Sequence, residues 1–358
     1  MNMEKLLVDL LQHQDNRLRI FDMGRRIEKL SIDQFTQIEK AEIPYPSPFL
    51  HHAWIGLLIW SPAAKEQNLI WFLKLPLDEQ GYLVQAARDD IVNRLLQNVI
   101  NPESTEDALK DNPFSFTPDP EKMACFHAKA SRILHTPASR YYEEVQQYMA
   151  GQHPLEHWSH LGLQGIADYV MRLDQGQNNQ QLCDILNRLP DPLLMTLCRM
   201  LEHVQIDHRL QTALSKLLSS QLATKDTASE TLIENLPETL AACIRGLSNS
   251  IDIAGRDRVL DQVLQTPYAF EAEVIAALAT RCHDSLMTPA RLLHFLECLA
   301  KGKAGQQGFN RILSDLMFLP DMRLQILAAF RNPARSALLS QAIEEMLGSR
   351  LASSGQTH

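Results

Sequence analysis

The chain contains no Cys-x-x-Cys pair, no Gly-Lys-[Ser/Thr] phosphate loop, no Gly-x-Ser-x-Gly elbow, no dinucleotide fingerprint and no His-Glu-x-x-His. Each absence removes a class: thiol redox centre or zinc ribbon, nucleotide binder, serine hydrolase, metalloprotease of recognised spacing. With 14 glycines and 18 prolines in 358 residues, it is neither fibrous nor low-complexity. No apolar run approaches the roughly 18 residues of a membrane span. Basic charge is also short. The net charge is -9, and residues 1–120 hold 12 Lys/Arg against 18 Asp/Glu. From 281 onward, 9 Lys/Arg face 6 Asp/Glu, well below the basic stripe that grips duplex nucleic acid. RNA binding through these C-terminal helices remains open, with steep salt dependence as its mark.

The six cysteines are widely spaced and mostly fall in apolar helical contexts such as LLMTLCRML, which reads as reduced, buried small hydrophobes. The segment MNMEKLLVDLLQHQDNR is broken by Asp9 and has neither a basic n-region nor a small-residue cleavage site, unlike a signal peptide. The expected compartment is the cytoplasm.

What is present divides the chain. Three of the four tryptophans, Trp54, Trp60 and Trp71, lie in residues 44–81, where AWIGLLIW (53–60) is apolar on both strand faces and LIWFLKL (69–75) nearly so. Such runs predict central strands covered on both sides, joined by a hairpin over SPAAKEQ. Met3, Leu6, Leu7, Leu10 and Leu11 share a helical face, and strands are expected at 17–22 and near 26–30. Ser31 is placed to cap a helix bearing Ile32, Phe35 and Ile38. Val84, Ala87, Ile91, Leu95 and Val99 mark another helix. The fold class is an α+β N-terminal domain, a small antiparallel sheet with helices, followed by an all-α helical-repeat, HEAT-like region. Its expected parts are an α+β domain at 1–111, a linker at 112–120 (NPFSFTPDP), a helical repeat domain at 121–350 and a flexible tail at 351–358. The repeat reading rests on Leu-Pro-acid helix starts at Leu189, Leu236 and Leu319, with a diverged start at TPYAFEAEV between them. Pro and a carboxylate also suit any helix N-terminus, so an irregular helical bundle stays open.

FDMGRR (21–26), PYPSPFLHHAWIGLLIW (44–60), WFLKLPLDEQG (71–81) and AARDD (86–90) resemble an uncharacterised proteobacterial family, domain-of-unknown-function family 3549. The resemblance runs over essentially the full length and implies no activity.

The polar exit of the second long strand, Lys74 with Asp78 and Glu79, faces Arg88 and Asp89 on the next helix. These could line a pocket in which Lys74 pairs an anion and a carboxyl acts as acid or base. The favoured reading is structural: Lys74 snorkels, Asp78 or Glu79 favours a helix start and Arg88 pairs locally. Asp22 and Arg25 flank the first turn, and Trp54 and Trp71 serve either as core cross-strand aromatics or as a partner anchor. These nine residues are the binding candidates. No catalytic residue, metal or cofactor is assigned. His153, His157 and His160 fall at i, i+4 and i+7, and Cys282, His294 and Cys298 on adjacent helices, but neither set has a zinc-site signature. GKAGQQG (302–308) follows a helix and reads as an interhelical connection.

Two functions fit: a non-enzymatic scaffold or adaptor for a protein partner, and a small-molecule-binding or enzymatic N-terminal domain on a helical platform.

Overall fold

The computed structural model describes residues 6–12, 16–100, 112–223 and 235–354. It divides into two compact units, residues 1–126 with 133–135, and residues 127–132 with 136–358.

In the first unit β1 (Arg17–Asp22), β2 (Glu28–Leu30), β3 (His52–Ser61) and β4 (Ala64–Pro76) form one antiparallel sheet in the order β2-β1-β3-β4. β3 lies inside the sheet because Ala53 to Trp60 offers apolar side chains to both faces. On one face Ile55, Leu57 and Ile59 stand opposite Asp22, Ile20 and Leu18 of β1, and opposite Leu73, Trp71 and Leu69 of β4. The other face carries Phe21, Gly56 and Phe72. Helices α1 (Leu7–Leu11), α2 (Ile32–Glu39) and α3 (Gln85–Ile100) pack around the sheet, α2 on β1 and α3 on β4. Ser31 Oγ accepts from Gln34 N at 3.1 Å, the expected cap of α2. At the far end of α2 the buried Glu39 carboxylate accepts from Leu7 N (2.7 Å) and Val8 N (3.2 Å), supplying the cap that Leu6 cannot give α1.

Phe126, from α4 (Pro120–Leu134), sits edge-on to Phe21 and Phe72 at 5.3 and 5.1 Å between ring centroids. Only glycine fits beneath it. A Cβ at Gly56 would lie 2.7 Å from the Phe126 ring and 3.0 Å from Met23. Gly56→Val is therefore expected to destabilise the protein by roughly 1–3 kcal/mol, as overpacking does. Urea denaturation checks this, with Phe126→Leu expected to restore part of the loss.

Three sequence expectations meet corrections here. The hairpin is not seven residues long; β3 and β4 turn at Pro62 and Ala63, and β4 starts at Ala64. Trp71 pairs with Leu57 and faces away from Trp54 and Trp60, so the tryptophans form no cross-strand aromatic pair. The second strand is shorter than expected, beginning at Glu28. The proline-punctuated stretch read as a linker lies along β4, where Lys74 N donates to Phe114 O (2.7 Å) and Phe116 N to Phe72 O (3.2 Å). Residues 1–5, with Met3 of the first helical face, and residues 355–358 of the expected tail lie outside the described residues; helix reaches Ser354.

The second unit contains α5 (Tyr142–Met149), α6 (Leu163–Met171), α7 (Asn178–Ile185), α8 (Asp191–Leu201), α9 (His208–Ala223) and α10 (Leu236–Leu247). It continues with α11 (Ile253–Leu264), α12 (Ala272–Arg281), α13 (Pro289–Lys301), α14 (Gly305–Met317), α15 (Pro320–Phe330) and α16 (Ala337–Ser354). Each helix packs on the one two places along, giving two rows, α5-α7-α9-α11-α13-α15 and α6-α8-α10-α12-α14-α16. The Leu-Pro-acid words open α8 and α10 in one row but α15 in the other, so they mark helix starts rather than a repeat position. Of GKAGQQG only Gly302 to Ala304 join α13 to α14; Gly305, at φ +61, already opens α14.

Internal ion pairs stitch the rows. Glu202, buried at the end of α8, receives Arg281 Nε of α12 at 2.8 Å and Arg245 Nε of α10 at 3.4 Å. Both arginines occupy last turns, where a cation also offsets the helix dipole. In the other row Asp257 and Asp261 of α11 hold Arg291 of α13 at 3.0 and 2.6 Å, and Arg256 reaches Asp284 at 2.8 Å.

Candidate functional site

β1 ends at Asp22, and Met23 N continues the ladder to Trp54 O at 2.7 Å. Asp22 is buried, and its Oδ1 accepts from the Tyr45 hydroxyl at 2.5 Å and from Gly24 N at 3.3 Å. Burial pushes the Asp22 carboxyl up from 3.8 to about 7, against the lowering pull of these bonds and of Lys122. Tyr45, also fully buried, is pushed well above its ordinary value by burial and then by the Asp22 charge. The Lys122 ammonium closes the corner, donating to Met23 O and Gly24 O at 3.0 Å each.

Beside this corner Phe49 and His52 exchange two backbone hydrogen bonds of 3.1 Å, closing a turn in which Leu50 (φ 50) and His51 (φ 61) are both left-handed. Such a turn normally takes Asn-Gly, and side chains bearing a Cβ cost about 1–2 kcal/mol each there. The Phe49 carbonyl also accepts from Trp54 Nε1 at 2.7 Å. Lys74, opposite Trp54 in the ladder, holds its ammonium 4.5 Å from the indole centroid, and Phe116 meets that indole edge-on at 4.8 Å. Arg25 stacks 5.3 Å from the Phe49 centroid and donates to Pro48 O at 3.2 Å.

Asp22, Arg25, Trp54 and Lys74 thus gather at one end of the sheet, with Asp22 in the ladder on the face opposite Trp54 and Lys74. The other candidates do not join them. Trp71 lies further along β4, on the face opposite Trp54 and Lys74, and donates to Ser115 Oγ at 3.1 Å. Asp78 Oδ1 accepts from Gln80 N and Tyr82 N, both at 2.9 Å, in its own turn, with exposed Glu79 beside it. Arg88 is buried, bonded to Gln85 Oε1 (2.7 Å) and paired with exposed Asp89 (2.8 Å). Lys74, Asp78 and Arg88 each engage a different neighbour, unlike the convergence a pocket built from them requires. Tyr45 escaped the sequence reading, although an aromatic between two prolines in PYPSPF was the visible signal.

In the second unit the His153, His157 and His160 rings stack at 4.6 and 5.0 Å, the last two on a 3₁₀ turn (Leu155–His160) that His153 precedes, with His157 Nε2 2.9 Å from Glu144. Cys282 and Cys298 point their thiols at different carbonyls, Ile244 O and Leu264 O. No group of metal-ligating side chains suited to an ion occurs among the described residues.

A groove the sequence reading missed lies between α9 and α11. The loops before the two helices pair with each other, Ile206 N to Asn249 O (3.0 Å) and Ile251 N to Ile206 O (3.2 Å). The buried Gln211 amide then clasps the Asp252 backbone from both sides, Nε2 to Asp252 O (2.8 Å) and Asp252 N to Oε1 (3.2 Å). Asp252 Oδ1 caps α11 through Gly255 N at 2.9 Å, and Ser219 Oγ meets Gln262 Oε1 at 3.3 Å towards the other end. The helices therefore run side by side in the same direction around a cleft of about 460 Å³. Thr212, Ser215 and Lys216 line it from α9, and Arg258, Val259 and Gln262 from α11. In sequence these residues form polar stripes at helical spacing, indistinguishable from any solvated helix face.

A family model described as "Protein of unknown function (DUF3549)" matches residues 4–347. Neither a curated protein nor a solved structure matches the chain. Among the described residues no helix is long and apolar enough to cross a membrane.

Proposed function

The chain belongs to the DUF3549 family, whose description names no activity, and on its geometry we propose that it is a non-enzymatic scaffold or adaptor for a protein partner. The carrying observation is the pair of helix rows, each helix packed on the one two places along. HEAT-like solenoids are built this way and expose long surfaces for partners. Charged groups inside the array are spent on stitching helices, as Glu202 and Asp257 are, which suits a structural framework. Cytoplasmic work agrees with six free cysteines, five of them buried.

Tagged full-length protein, purified natively and cross-linked, tests the reading. A stoichiometric partner with cross-links in the helical array is expected; no partner above an untagged control overturns it. The Asp22–Tyr45 corner favours a second reading, a small-molecule-binding or enzymatic N-terminal unit, because a buried carboxyl at about 7 is poised for proton transfer. That reading expects a ligand whose thermal stabilisation of the protein is lost in Lys74→Ala, and an unaffected shift counts against it.

A further inference from the structure

We propose that the groove between α9 and α11 holds an acidic peptide segment of a protein partner, with an apolar residue of that segment seated on Ile251 and Ile253. The proposal rests on the scaffold reading and names the partner's chemistry. Charge is the first argument. In a chain of net charge -9 the groove leans the other way, with Lys216 and Arg258 on its two walls and, among its described lining residues, one carboxylate, Asp252, whose Oδ1 is engaged in capping α11. Both cations are exposed. Among the described residues neither makes an ion pair, and the hydrogen bond Arg258 makes is a long one, 3.4 Å to Ala254 O. Arg172, Arg256, Arg281 and Arg291 in the same unit are all engaged with carboxylates.

Shape is the second argument. From His208 to Ser219 the groove wall runs roughly 16 Å, at about 1.5 Å per helical residue, open along its length. A small-molecule site encloses most of its ligand; an open trough with Thr212, Ser215 and Gln262 along its walls suits a peptide backbone needing hydrogen-bond partners. Two basic side chains with a single imidazole, His208, and no phenyl, phenol or indole ring among the groove's described lining residues are a poor platform for single-stranded nucleic acid, which relies on successive base stacking. Apolar exposure is the third argument. Ile251 and Ile253 are 51% and 58% exposed and flank Asp252 at the groove's end. Paired exposed isoleucines beside a cationic trough fit an acidic segment carrying a bulky aliphatic residue.

The test uses the full chain and a fluorescent glutamate-rich peptide of about eight residues with one leucine near an end, long enough to overrun the groove at about 3.3 Å per residue. Binding is expected to be about tenfold tighter than for the glutamine analogue, and to fall about tenfold in Lys216→Glu with Arg258→Glu. Ile251→Ser with Ile253→Ser is expected to weaken only the leucine-bearing peptide. All four positions are surface sites, and an unchanged melting temperature confirms that the variants fold. Equal binding of the two peptides, no peptide binding, indifference to the charge reversal, or preference for a single-stranded RNA probe overturns the proposal. A natural partner still captured by the charge-reversed protein overturns the groove while leaving the scaffold reading standing. A partner lost with the charge reversal but kept in Lys74→Ala supports both.

Discussion

Glu202→Ala is expected to cost the protein roughly 3–5 kcal/mol, the usual consequence of removing one partner from a buried ion pair. Glu202 joins the ends of three successive helices of one row, and its loss takes from the buried Arg281 the carboxylate it meets at 2.8 Å. Arg245 is about one-third exposed and can turn to water, so the penalty concentrates on Arg281. Glu202→Gln keeps an acceptor and is expected to lose less. Combining Glu202→Gln with Arg281→Met removes both charges and should recover much of the stability, since an apolar replacement of a buried pair is often neutral. Urea denaturation of the set decides the matter. A loss below about 1 kcal/mol for Glu202→Ala would mean that the pair behaves like a surface salt bridge.

Acid is expected to stabilise the first unit through Asp22. A carboxyl raised from 3.8 to about 7 holds its proton in the fold over a range where the unfolded chain has released it. The folded state then binds more protons, so stability falls as pH rises. The contribution is complete below pH 3.8, declines through the window up to about 7 and is gone above it. Its full size is about 4 kcal/mol, from about 1.4 kcal/mol per unit. Asp22→Asn keeps an acceptor for Tyr45 and Gly24 without titrating. Its stability relative to the wild type should therefore climb by about this amount between acid and pH 8. Glu39, whose carboxyl burial also raises, slopes the same way in both proteins and cancels in the comparison. A difference that stays flat across the window would place the Asp22 proton elsewhere.

The sheet was legible because β3 and β4 are written in residues that suit few other structures, and the Ser31 cap is a local signal that needs no tertiary context. Trp71 was misread because face assignment depends on register, and a shift of one residue turns every side chain over. The polar start of β4, Ala64 to Asn68, carries no apolar alternation; pairing with β3 makes it a strand. Asp22, Arg25, Trp54 and Lys74 come together because strand ends meet at one edge, whereas Asp78 and Arg88 find partners within a few residues of themselves. The helical rows escaped the Leu-Pro-acid words for a related reason. Proline near the first turn answers to the local chemistry of a helix end, and either row has such ends.

The Gln211 clasp on the Asp252 backbone uses no charged side chain. Ionic strength and pH therefore have little grip on the spacing of α9 and α11, while the attraction of Lys216 and Arg258 for any visitor is screened over about 8–10 Å in ordinary salt. Width and pull are governed separately. A cell could tune occupancy through its ions without deforming the groove, and evolution could invert the charge on the rim while leaving the clasp between the helices untouched.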